Sequence, residues 1–279
     1  MTMRSVRRQF RAMRDDIGDL HTWRPLPNEQ VDQIDPFLFL NHHGPQVYPP
    51  GNRGLPFGPH PHRGFETVTF IVEGSLLHRD SGGHESVIHA GGVQWMTAGR
   101  GLEHAELSPE EFLRDGGPLE ILQLWVNLPS RLKMTKPRYV GLQRDEIPSV
   151  EDGGATIALI SGELMGRSGP VPSLTGVLMS TIDFAAGGRV AFAVPPARNV
   201  FLYVVRGEVH VNGEPARAFH LVDMADDGDE IAFESPAGAL VLFGHADPLR
   251  EPVVAHGPFV MNTRAEIIEA IRDYHEGGF

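Results

Sequence analysis

The chain has 279 residues, 41% hydrophobic content, 32 glycines, 23 prolines and no cysteine. At roughly 150 residues per domain this length predicts two domains, and the glycine and proline content predicts short strands joined by tight turns, an all-β architecture. Lack of cysteine excludes disulfides and thiolate metal sites, and a formal charge of -12 with a pI of about 5.6 argues against a dedicated nucleic-acid or anionic-membrane surface.

In chain order, the basic start at residues 1–8 leads to Asp15 and Asp16 with no apolar segment between, which does not fit a secretory signal. No stretch of ~18 apolar residues occurs, so a soluble, cytoplasmic protein is expected. Residues 4–24 have no clean period and read as an arm, and residues 36–40 as an apolar edge strand. The Gly- and Pro-rich segment 44–61 delivers His60-Pro61-His62 to a strand at 65–72, with a turn at Gly74. Strands follow at 75–79, 86–89 and 93–96, then His104-Ala105-Glu106, then an alternating strand at 119–128. The polar, proline-containing stretch 129–154 reads as the link between domains.

Side chains two apart on a strand share a face. His60 and His62 therefore aim two imidazoles one way, and His104 and Glu106 an imidazole and a carboxylate. Together they can make a three-histidine, one-carboxylate metal site. Imidazole suits iron, copper, nickel, zinc and manganese to differing degrees, and the carboxylate shifts the preference toward harder ions. Four protein ligands on an octahedral ion leave two positions for water, dioxygen or a substrate oxygen, whereas a tetrahedral ion would be closed. By parity Glu66 also shares a side with His62, while Arg63 points the other way, where a structural salt bridge competes with an anion contact.

The remaining candidates have plainer readings. His42, His43, His78, His84 and His89 read as surface or turn histidines, and Phe65, Trp95 and Trp125 as barrel core. Gly99-Arg100-Gly101 reads as a tight turn, because no helix pattern follows to offer its N-terminal amides to a phosphate. No cluster of Lys and Arg is evident near the ligand strands, which weakens a sugar-phosphate isomerase reading.

The second half repeats the first when Phe201-Leu202-Tyr203-Val204-Val205-Arg206-Gly207 is laid on Thr69-Phe70-Ile71-Val72-Glu73-Gly74. His60 and His62 then fall on Ala193 and Pro195, and His104 and Glu106 on Leu240 and Leu242. None of these replacements binds metal, so one metal per chain is expected. Near the end, Thr263 and Glu266 form a capping box before Ile267, Ile268, Ile271 and Tyr274, an apolar helical stripe. Residues 250–262 are expected to run extended across the other domain.

Four segments, HPHRGFETVTF, QWMTAGRGLEHAE, LQLWVNLP and PLREPVVAHGPFVMNT, resemble the pirin family of bicupins, with matches over roughly residues 35–139 and 240–275. The resemblance implies two antiparallel cupin (jelly-roll) β-barrels in tandem with a short C-terminal helix. The expected domains are a metal-binding cupin at 1–133, a linker at 134–150, and a ligand-free cupin with the tail helix at 151–279. It further implies one divalent ion on the residues matching His60, His62, His104 and Glu106, chiefly Fe(II), with Mn, Co, Ni, Cu or Zn as other fits. Exclusion of Glu66 from the ligand set rests on this resemblance alone. Several members are similar in cleaving the flavonol quercetin with dioxygen, which implies a small aromatic substrate, 2,4-cleavage of the heterocyclic ring with release of carbon monoxide, and Glu106 as the proton acceptor. Another member is a nuclear co-regulator, so the alternative is a metal- or redox-responsive regulator acting through protein contacts.

Overall fold

The computed structural model describes residues 2–279, which form two compact units. Among the described residues no helix is long and apolar enough to cross a membrane.

One unit comprises residues 14–24, 36–144 and 249–279. Its seven-stranded sheet runs in the order Arg138–Leu142, Val93–Thr97, Phe65–Glu73, Gly117–Asn127, Phe37–Tyr48, Thr22–Leu26 and Met13–Arg14. A four-stranded sheet, Phe57–His62, Leu102–Leu107, Ser75–Asp80 and Glu85–His89, completes the barrel. Leu20, Ile71, Leu76, Ile88, Leu119 and Ile121 belong to one buried cluster of its core. Gly74 makes the tight turn between consecutive strands at φ +84°, where a Cβ would meet the Pro118 carbonyl oxygen at 2.6 Å.

Three expectations change here. The apolar run at 36–40 opens a twelve-residue strand flanked by partners on both sides, so it is no edge strand. The expected linker contains the strand Arg138–Leu142, antiparallel to Val93–Thr97, and the strand Ser149–Asp152, antiparallel to Ala155–Ser161. Both are short, five and four residues, and neither has a clean apolar–polar alternation to reveal it. The tail, expected with the second domain, packs in the unit that carries His60, His62 and His104: Val260 joins a buried cluster with Leu38 and Phe65. Its first part is a small antiparallel pair, Val254–His256 with Phe259–Met261, rather than one extended run. The helix Arg264–His275 carries the expected capping box, Thr263 Oγ1 accepting from Glu266 N at 3.3 Å and Glu266 Oε2 from Thr263 N at 2.7 Å. Ile267 and Ala270 are buried, whereas Ile268 is 68% exposed and lies outside the packed stripe.

The other unit comprises residues up to Met13, 25–35 and 145–248. Its ten-stranded sheet centres on Asn199–Val211, hydrogen-bonded to His220–Met224 and Ala239–Ala246. The expected N-terminal arm contributes the strand Val6–Arg11, antiparallel to His220–Met224. Phe184, Phe192, Phe233 and Phe243 interlock in the core at ring separations of 5.2 to 6.2 Å.

Candidate metal centre

Strands Phe57–His62 and Leu102–Leu107 pair antiparallel with His104 directly opposite His60 and Leu102 opposite His62. Directly opposed residues present their side chains on the same face. The ligand atoms of His60, His62 and His104 consequently lie within 4.8 Å of one another. The Nδ1 of His60 donates to the Gly58 carbonyl at 2.7 Å and that of His62 to the Pro258 carbonyl at 3.3 Å. A carbonyl only accepts, so Nδ1 carries a proton in both rings, and in neutral His62 Nε2 is left as a lone pair.

His60 Nε2 faces His104 Nε2 at 3.0 Å. That separation is a hydrogen-bond distance, and it brings the two ring nitrogens close enough to share one ion. Burial, reinforced by the His60 charge, pushes His62 down to about 3. Burial, then His62, His60 and His78, holds His104 well below the ordinary imidazole range. Both rings are thus neutral at physiological pH, the form a metal requires. His104 Nδ1 is buried without a partner. The donor set fits a divalent ion.

Glu106 is 1% exposed and lies on the same strand as His104, but the cluster of three does not include it. A register shift falls between the two residues. Its Oε1 accepts from Thr69 Oγ1 at 3.0 Å and Gln94 Nε2 at 2.5 Å, and its Oε2 from Gln123 Nε2 at 2.5 Å. All three donors stand on the opposite, seven-stranded sheet, so this carboxylate bridges the two sheets. An ionised carboxylate has about four acceptor positions, and three are occupied by the chain.

Glu66 accepts from Thr97 Oγ1 at 2.6 Å, and its Oε2 is buried with no partner. Burial pushes its carboxyl up to about 7, against the opposing pull of Thr97, Trp95 and Arg138. Arg63 makes the structural contacts: Nη1 with Asp273 Oδ2 at 2.9 Å, Nε to the Arg100 carbonyl at 2.5 Å, and its guanidinium 4.5 Å from the Phe279 ring centre. Phe65 and Trp125, 5.0 and 5.4 Å from the His62 ring, wall its apolar side. Phe65 and Trp95 are core, as expected. Gly99, at φ +51°, and Gly101 occupy the expected turn.

The structure corrects three of the five plainer histidines. His42 and His43 are buried, His42 Nε2 2.8 Å from Glu120 Oε1 and His43 Nδ1 2.9 Å from Thr22 Oγ1. His78 is fully buried; its Nε2 lies 2.9 Å from Asp80 Oδ2, its ring stacks on Tyr139 at 4.0 Å, and it approaches His104 at 5.5 Å. His78 stands directly opposite Glu106 and Asp80 opposite His104. The alternation of Leu76, His78 and Asp80 along their strand was the signal for that inward face. His84 and His89 are exposed, as expected.

Sequence reading also missed Lys133, which is 1% exposed. Its Nζ donates to the Gly64 carbonyl at 2.8 Å, Asn127 Oδ1 at 2.6 Å and the Val260 carbonyl at 3.0 Å, tying the loop after the histidine pair to the tail. Gly64 sits at φ +90°, where a Cβ would lie 2.0 Å from the Val260 carbonyl oxygen. A lone lysine in a polar stretch gave no hint of this.

In the second barrel the strands that pair in the manner of the ligand strands are Gly188–Ala193 and Glu230–Ser235, with Val190 opposite Phe233 and Phe192 opposite Ile231. The repeat alignment was therefore displaced: Ala193 and Pro195 face solvent, and Leu240 and Leu242 lie on Ala239–Ala246, which pairs with Leu178–Phe184. The inward positions are apolar all the same.

Two antiparallel β-barrels in one chain, one lined by three converging imidazoles and the other filled with phenylalanine, define a two-barrel cupin. A family model described as Pirin matches residues 19–126 and one described as Pirin C-terminal cupin domain matches residues 179–279, and the chain belongs to the pirin family. Pirin-like protein 2 of Arabidopsis thaliana is 39% identical over 282 residues, 98% of this chain and 84% of its own. Pirin of Homo sapiens is 37% identical over 257 residues, 90% of this chain and 85% of its own. The crystal structure of quercetin 2,3-dioxygenase from Acinetobacter baumannii has a TM-score of 0.93 and 32% identity, covering 100% of this chain and 99% of that one.

Proposed function

We propose that this protein is a metal-dependent dioxygenase that cleaves a flavonol of the quercetin type by 2,4-opening of the heterocyclic ring, with release of carbon monoxide. The observation that carries this reading is the convergence of His60, His62 and His104 within 4.8 Å, two of them held neutral by burial. The likeness in sequence and fold to the quercetin 2,3-dioxygenase of Acinetobacter baumannii supports the choice of reaction.

The three histidines would hold the ion, with Fe(II) as the proposed occupant and Glu106 as the proposed fourth ligand. When bound, such an ion supplies Lewis acidity that lowers the pKa of a substrate hydroxyl, and redox access to dioxygen. The chain does the rest. Glu106 is the proposed acceptor of the substrate 3-hydroxyl proton, and the hydrogen bonds from Thr69, Gln94 and Gln123 fix its oxygens in place. Gln94 is itself braced, its Oε1 accepting from the Tyr139 hydroxyl at 3.3 Å. Phe65 and Trp125 keep water from the apolar side of His62.

The test is to purify the protein without chelator, measure its metal by elemental analysis, and follow quercetin loss and carbon monoxide release beside a His62→Ala control. One metal per chain with turnover that the substitution abolishes is expected. One metal without turnover removes the oxygenase reading in favour of a regulatory role, and no metal under any reconstitution removes the site.

A further inference from the structure

Three cationic side chains that the metal centre does not use meet at one cavity. Arg100, Lys136 and Arg138 line a concavity of about 420 Å³ whose walls include the rings of Tyr139 and Phe279. Sequence reading found no such cluster, because the three come together only through strand pairing. Arg138 stands opposite Thr97, and the Arg100 amide donates to the Thr135 carbonyl at 2.9 Å, which draws the turn after Val93–Thr97 against the start of Arg138–Leu142.

Among the described residues, none of the three has a side-chain hydrogen bond or an ion pair. The lining carboxylate, Asp80, is committed elsewhere, 2.9 Å from His78 Nε2 and 3.0 Å from His84 Nδ1. Here Arg100, Lys136 and Arg138 line one space, and their fields add there. Each exposed pair alone is weak and screened by salt, so a ligand is held by the three together.

The two aromatic walls are fixed before any ligand arrives. Tyr139 stacks on His78 at 4.0 Å with an interplanar angle of 11°, and its hydroxyl lies 2.5 Å from Ser86 Oγ. Phe279 lies under the Arg63 guanidinium at 4.5 Å and against Tyr274 at 5.5 Å. Rigid rings beside unpaired cations suit a flat ligand bearing a negative group, since little side-chain freedom is lost on binding. None of His60, His62, His104 or Glu106 lines this cavity.

We propose that this cavity binds a small aromatic carboxylate, its anionic group held by Arg100, Lys136 and Arg138 and its ring against Tyr139 and Phe279, at a site separate from the metal centre. The inference is independent of the oxygenase reading and survives its failure.

The test is calorimetric titration at low ionic strength with 1-naphthoate, beside inorganic phosphate and the uncharged 1-naphthalenemethanol, on protein as purified and after chelator treatment. Saturable 1-naphthoate binding with unit stoichiometry is expected, unchanged by chelation and weakened as salt rises. The Lys136→Gln/Arg138→Gln variant, with unchanged melting, should bind at least ~tenfold more weakly, a loss that 1-naphthalenemethanol should match on the wild-type protein. If that variant fails to fold, Arg100→Gln/Lys136→Gln serves the same purpose. Unchanged affinity in a folded variant overturns the assignment. So does loss of binding on chelation, which would make 1-naphthoate a ligand of the metal centre. Phosphate binding as tightly as 1-naphthoate overturns the aromatic class. No binding at all, as when a carboxylate of the chain neutralises the cations in solution, overturns the site.

Discussion

The two barrels share a strand plan and differ in what fills the paired strands that face inward. In one, His60 and His104 oppose each other and close on His62, with an unpartnered Nδ1 on His104. In the other, Val190 opposes Phe233 and Phe192 opposes Ile231, and the interior is closed by phenylalanine rings. A barrel wall therefore accepts either polar donors or packed apolar volume at the same positions. The first choice leaves nitrogens that a cation can satisfy, and the second yields stability directly.

The sharpest way to break this comparison is one truncation in each barrel. His104→Ala should abolish stoichiometric metal retention and with it turnover, whereas Phe233→Ala should leave metal content intact and cost about 3–5 kcal/mol of stability by opening a cavity. Elemental analysis and urea unfolding of both variants decide it; a Phe233→Ala protein that loses its metal would show that the second barrel is not merely structural.

Removal of residues 256–279 should come next in size. It strips Phe259, Val260, Met261 and Ile267 from the histidine-bearing unit, removes the Pro258 acceptor of His62, and leaves Lys133 buried without the Val260 carbonyl. A large fall in melting temperature with loss of metal is expected, and a truncated protein that melts like the full chain would refute the packing role of the tail.

Glu106→Gln separates holding a metal from using it. The amide keeps the shape but cannot take a proton, so most of the metal should remain while turnover falls by a factor on the order of 10²–10⁴. Retained turnover removes Glu106 from the proton-accepting role.

The smallest effect concerns Glu66. Its carboxyl is raised from 4.5 to about 7 by burial, so the folded state holds a proton that the unfolded chain releases. The unfolded state binds fewer protons between these values, and stability therefore falls as pH rises from about 4.5 to 7. In chelator-treated protein, Glu66→Gln should lose about 2–3 kcal/mol less than wild type across that interval, measured by urea unfolding at both ends. Parallel pH profiles would mean that the buried Oε2 is solvated in solution.

What the sequence determined by itself was local. The two-residue spacing of His60 with His62 and of His104 with Glu106 was enough to place side chains on shared faces, because strand parity acts between neighbours in the chain. The capping box at Thr263 and Glu266 was legible for the same reason. Apolar residues in the second half announced an apolar barrel interior even though the alignment chose the wrong strand. Tertiary structure alone decided matters of register between distant strands: that His78 stands opposite Glu106, that Lys133 joins Gly64 to Val260, that Glu106 is gripped by three side chains from the other sheet, and that Arg100, Lys136 and Arg138 share one cavity. It also decided that the tail packs in the barrel farther from it in sequence. Pairing energies are summed over the whole fold, and no local pattern records which of several compatible partners a strand or a tail will take.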